Sequence, residues 1–131
     1  MQHLGLISLV VNNYDEAIEF YTKKLFFTLI EDTQLSATKR WVTIAPPNSP
    51  IDGCKILLAQ ANNKNQLNAV GNQTGGRVFL FLYTNRFEED YKNMLLNGIE
   101  FIEKPRQEKY GKVVVFKDLY GNLWDFIEIK N

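Results

Sequence analysis

"VNNYDEAIEFYTKKL", residues 11–25, sets Tyr14, Ala17, Ile18, Tyr21 and Leu25 at the three- and four-residue spacing of one helix face. Asn13 stands where a capping side chain belongs, and Glu16 three positions later completes a capping-box pattern. The same grammar returns in "TNRFEEDYKNMLLNG", residues 84–98. There Asn85 and Glu88 hold the capping relation, Phe87, Tyr91, Met94 and Leu95 form the stripe, and Gly98 supplies a left-handed stop. Strand-like runs precede both helices, "LGLISLVV" at 4–11 and "RVFLFLYT" at 77–84. Three more follow each helix: 27–30, 41–45 and 55–59 in the first half, 99–102, 113–116 and 123–129 in the second. The chain therefore reads β-α-β-β-β twice.

A single β-α-β-β-β unit has one helix to cover the apolar face of its sheet, so two such units are expected to share a core. We expect one α+β domain over 1–131, with modules at about 1–60 and 76–131. The polar, glycine-bearing stretch 61–75 reads as the linker between them. "APPNSPIDG", 45–53, is a second loop, stiffened by Pro46, Pro47 and Pro50.

Composition narrows the function classes. Fifteen basic residues balance fifteen acidic ones, which offers no attraction to nucleic acid or to an anionic membrane. No run approaches the roughly 20 apolar residues of a spanning helix. "TGG", 74–76, lacks the glycine pattern and following helix of a phosphate loop. One cysteine, Cys54, can form no internal disulfide and reads as a small core residue. With no leader-like segment at the start, the cytoplasm is the expected compartment. Aromatic residues reach 13%, with nine Phe and six Tyr, and those rings need either a core or a pocket.

"GNLWDFIEI", 121–129, poses a sharper question. Strand alternation puts Leu123, Asp125, Ile127 and Ile129 on one face, against Trp124, Phe126 and Glu128 on the other. A carboxylate among three aliphatic residues implies a metal, a ligand, a hydrogen-bond network or a wet face.

The doubled unit, with "VNNYDEAIEFY" (11–21) and "DLYGNLWD" (118–125) as its motifs, resembles the vicinal oxygen chelate superfamily of glyoxalase, bleomycin-resistance and extradiol-dioxygenase-like proteins. The likeness covers almost the whole chain and implies two modules forming one curved, mainly antiparallel mixed sheet around a cavity, with the helices outside. It also implies a two-fold dimer. In catalytic members a divalent metal acts as a Lewis acid, held by a His on the first strand of each module and a Glu or equivalent on the last. Carried onto this chain, the final ligand position falls on Asp125, so the resemblance aims Asp125 into the cavity. The other positions fall on Leu6, Leu57 and Phe79, and a shift of one residue brings in only Gly5, Ile7, Ile56, Leu58, Val78 or Leu80. None of these coordinates a cation. The only histidine, His3, lies on the opposite strand face from Leu6, as a surface or subunit-contact residue or as a ligand in a displaced site. In "KKLFF", 23–27, Phe26 replaces the family's usual glycine after the helix, which predicts an altered helix end.

In the same family register Ser8 and Leu6 lie beside Phe79, Phe81 and Tyr83, with Arg77 at the strand start. Trp41 and Thr43, or their neighbours Arg40 and Val42, come from the third strand. Such surroundings raise the pKa of Asp125 unless a cation or donor favours its ionised form, and Arg77, Tyr83 and Lys117 are the candidates. Glu103, Glu108 and Glu128 read as solvated, and Arg106 and Tyr110 border the cavity mouth. Three functions fit these residues. The first is binding of a hydrophobic or cationic small molecule with no cofactor, through Asp125, Phe79, Phe81, Tyr83, Trp41, Ser8 and Arg77. The second is a divalent-metal-dependent lyase or dioxygenase with a displaced site drawing on Asp125 and His3. The third is a domain with a filled cavity that acts through protein contacts. Catalysis stays undecided between them.

Overall fold

Strand pairing falls inside two units, Met1–Val70 and Gly71–Asn131, and the computed structural model describes every residue from Met1 to Asn131. The first unit contains β1 (Leu6–Val11), α1 (Tyr14–Glu19) extended by a π-helical turn (Phe20–Lys24), β2 (Thr28–Gln34), β3 (Arg40–Ala45), β4 (Lys55–Gln60) and α2 (Lys64–Ala69). The second contains β5 (Val78–Tyr83), α3 (Phe87–Leu96), β6 (Glu100–Phe101), β7 (Arg106–Glu108), β8 (Gly111–Lys117) and β9 (Leu123–Ile129). Strand order is β1-β4-β3-β2 in one sheet and β5-β9-β8-β6 in the other, with β7 paired to β8. In both units the first strand runs parallel to the last and the remaining pairs are antiparallel. The repeated sequence grammar is thus a repeated topology in an α+β architecture. Hydrogen bonding groups the strands into one sheet in each unit, four strands in the first and five in the second.

In the first unit Leu9, Val11, Val42, Ile44, Ile56 and Leu58 are buried on the face that α1 covers with Tyr14, Ala17 and Tyr21. Asn13 caps α1 as predicted, its Oδ1 accepting the Glu16 N–H at 2.9 Å. The helix widens into a π turn and ends on Phe26, which adopts the left-handed conformation at φ 60°. Phe26 therefore keeps the left-handed geometry of the glycine it replaces, and the alteration lies in the wider turn, with Phe27 N–H reaching Tyr21 C=O at 2.9 Å. A bulky side chain there carries about 1–2 kcal/mol of strain. Because Phe26 is more than half exposed, Phe26→Gly is expected to stabilise the protein by about 1 kcal/mol despite the extra freedom of glycine in the unfolded chain, as read from the urea midpoint. The expected linker holds a short helix, α2, capped by Asn63 Oδ1 on the Gln66 N–H at 2.9 Å. Cys54 is exposed rather than core, because it sits in the turn before β4 and not within the strand.

The second unit puts most of its rings into a core on the α3 side. Phe79 meets Trp124 edge-on at 6.3 Å, Trp124 stacks on Phe116 at 5.6 Å, and Phe101 bridges Phe116 and Tyr91. Phe87 closes the series against Tyr91 and Phe126. Burial of Phe87 alone contributes roughly 2–3 kcal/mol. Gly98, at φ 81°, stops α3 as expected. The start of α3 differs from the Asn85–Glu88 capping box. Arg86 N–H bonds to Thr84 Oγ1 at 3.0 Å, and Phe87 N–H bonds to Glu128 Oε1 at 2.8 Å. Glu128 is therefore a remote cap and not a solvated side chain, because β9 brings it over the helix end.

Candidate functional site

Register decides which side chains share a face, since residues directly opposite in a ladder project to the same side. On β9 Asp125 is paired with Val115 of β8 and Phe81 of β5. Two residues along, Ile127 is paired with Val113 and Tyr83, and Val113 with Arg106 of β7. Asp125, Phe81, Tyr83 and Arg106 therefore belong to one face of the second sheet. Phe81 and Tyr83 are 58% and 62% exposed, so this face carries an uncovered strip of ring surface beside an acid.

Asp125 is half-buried, and no protein group donates a hydrogen bond to its carboxylate. Burial pushes its pKa above the ordinary carboxylate range; the Arg106 guanidinium opposes that rise and Glu103 adds to it. The charges that act on Asp125 are thus Arg106 and Glu103, in place of the expected Arg77 and Lys117. Arg77 is exposed just before β5, and Lys117 pairs with Glu100 at 3.4 Å. Glu103 and Glu108 are not simply solvated, because they hold Arg106 between them at 3.0 and 2.6 Å. That arrangement depends on β7, a strand inside what the sequence presents as a polar loop.

Phe79 departs from the expected set. A bulge between Val78 and Leu80 takes it out of the alternation, and its ring lies against Trp124, on the opposite strand face from Asp125. In the first unit Thr43 and Ser8 both pair with Leu57, and Trp41 lies two residues from Thr43 along β3. The phase of the third strand is thereby settled: Trp41 and Thr43 share a face with Leu6, Ser8 and Leu57, while Arg40 and Val42 face α1. His3 is exposed ahead of β1.

The donor set does not fit a divalent cation. Leu6, Leu57 and Phe79 carry no ligating atom, Asp125 supplies one carboxylate, and no three His, Cys, Asp or Glu side chains converge on a common point. No helix is long and apolar enough to cross a membrane.

Residues 2–126 match the sequence pattern of the Glyoxalase/Bleomycin resistance protein/Dioxygenase superfamily. The chain belongs to that superfamily. A relative of similar length, an uncharacterized protein of Shewanella frigidimarina (strain NCIMB 400), is 54% identical over 131 residues, 99% of this chain and 96% of that one. Among solved structures, UcmS2 superposes with a TM-score of 0.83 at 21% identity, covering 97% of this chain and 98% of its own. TnmS3, an antibiotic binding protein from Streptomyces sp. CB03234, superposes at 0.78 with 22% identity, covering 99% and 98%. At these identities the two structures establish the superfamily fold and nothing finer.

Proposed function

We propose that this superfamily member binds a hydrophobic, cationic organic molecule without a metal centre, using Phe81 and Tyr83 as ring surface and Asp125 as counter-charge. The observation that carries this reading is the pairing of exposed rings with a half-buried carboxylate that has no protein donor. Folding does not favour such a carboxylate, whereas a bound cation satisfies it while lying against a ring face. The antibiotic binding of TnmS3 supports small-molecule binding on this fold. A two-fold dimer is proposed as the assembly.

Calorimetry with benzyltrimethylammonium, and benzyl alcohol as the neutral control, tests the proposal. Asp125→Asn is expected to weaken the cation about tenfold, equivalent to about 1.4 kcal/mol, and to leave the alcohol unchanged. Equal affinity of the cation for both proteins would remove the counter-charge role.

The same variant carries a pH signature. A carboxyl whose folded pKa is raised contributes stability that is complete below its unfolded pKa and is lost as pH rises through the folded value. Asp125→Asn cannot ionise, so it is expected to melt above the wild type at pH 7, with the difference closing near pH 3.

A further inference from the structure

The first unit contains a cleft of about 430 Å³ at the β3 start and the β4 end, beside α2. Trp41, Leu57, Leu58 and Ala59 give it apolar surface, Tyr14 and polar side chains line the rest, and no Asp or Glu lines it. Gln60 and Gln66 both face it with their amide orientation set by the backbone. Gln60 Oε1 accepts the Tyr14 N–H at 3.1 Å, and Gln66 Oε1 accepts the Asn62 N–H at 2.9 Å. An N–H selects the oxygen of a carboxamide, so in each glutamine the NH₂ donors are left over, and no protein acceptor takes them. Lys39 adds an ammonium outside every ion pair, whereas the Arg40 guanidinium is taken up by Asp32 and Asp15 at 2.7 and 2.9 Å.

Apolar surface beside donor-rich, acid-free polar side chains in one cleft is complementary to one ligand class. We infer that this cleft binds an aromatic ring bearing a carboxylate, the ring against Trp41 and the carboxylate on the Gln60 and Gln66 amides with Lys39 at the rim. Asp125 does not line the cleft and belongs to the other unit. Its ligand carries the opposite charge to the one proposed there. The volume is in the range of small-molecule pockets, about 300–1,000 Å³.

The test is a titration of ¹⁵N-labelled protein with 2-naphthoate, followed through the side-chain NH₂ signals. Saturable shifts are expected at Gln60 and Gln66 and at the Trp41 indole. Gln60→Glu and Gln66→Glu keep the oxygen that accepts the backbone N–H but replace the donor with a second oxygen. Both are expected to melt like the wild type and to bind 2-naphthoate at least tenfold more weakly, while Asp125→Asn binds it normally. Unchanged affinity in both glutamate variants, shifts confined to residues 71–131, or tighter binding of 2-naphthylmethylammonium would each overturn the site.

Discussion

Asp118→Ala is expected to lower the folding free energy by about 3–5 kcal/mol, because it removes the acceptor of several buried donors at once. Asp118 is 6% exposed, and its carboxylate organises the whole β8–β9 turn. Oδ1 accepts the backbone N–H groups of Tyr120, Gly121 and Asn122 at 3.1, 3.1 and 2.9 Å. Oδ2 accepts Asn122 Nδ2 at 3.0 Å and the Trp124 indole at 3.3 Å. Asn122 extends the network by accepting the Gln73 N–H at 3.1 Å. Alanine leaves the buried Asn122 N–H, the Asn122 amide and the Trp124 indole without this acceptor, while Gly121 N–H keeps the residue-118 carbonyl at 3.2 Å; each buried orphan costs about 1–3 kcal/mol. Asp118→Asn keeps one oxygen for the backbone donors but turns an NH₂ toward the indole and the Asn122 amide, so a smaller loss of about 1–3 kcal/mol is expected. Urea denaturation followed by circular dichroism gives both values. An alanine variant with the wild-type midpoint would mean that the turn is held by β8–β9 pairing alone.

The Asp118 network also clarifies what the motif "DLYGNLWD" encodes. Its first acid and its asparagine build the turn, and only its last acid, Asp125, reaches the candidate site. The face of Asp125 follows from period-two alternation, which is local and so readable from the chain, as are the 3.6-residue stripes of α1 and α3, whereas the turn contacts of Asp118 leave no such periodic sign. Features set by distant pairing were not readable in the same way. Arg106 comes near Asp125 only because β7 joins β8, and Glu128 caps a helix that begins 41 residues before it. The displacement of Phe79 is a bulge, a property of how β5 aligns with β9 rather than of either strand. The face of Trp41 awaited the pairing of β3 with β4. The helix inside the expected linker did carry a local sign, Asn63 followed three residues later by Gln66, but a six-residue helix with four polar residues presents no stripe to confirm it. At Asn85 the same kind of sign misled, because Thr84 and Glu128 reach the helix amides instead.

Gly111→Ala is expected to cost about 3–4 kcal/mol, near the upper end for single substitutions. Gly111 opens β8 at φ 150° and pairs with Ile129. A Cβ there would lie 2.1 Å from the Glu128 carbonyl oxygen and 3.0 Å from the Glu128 carbonyl carbon and Ile129 Cα. All three obstacles are backbone of the neighbouring strand, so no rotamer change relieves the overlap and the ladder itself must open. Gly75 and Gly76 separate this effect from backbone preference, since both have positive φ but nothing within 4 Å of an added Cβ. Gly75→Ala should therefore show only the left-handed penalty of about 1–2 kcal/mol. Opening the ladder at Gly111 also moves Glu128, whose Oε1 holds the Phe87 N–H, so amide exchange at Phe87 should accelerate in Gly111→Ala and stay unchanged in Gly75→Ala. If the two variants proved equally stable, with Phe87 protected in both, the end of β9 would yield without loss and the close approach of Gly111 to Glu128 would not be what fixes the register that aims Asp125.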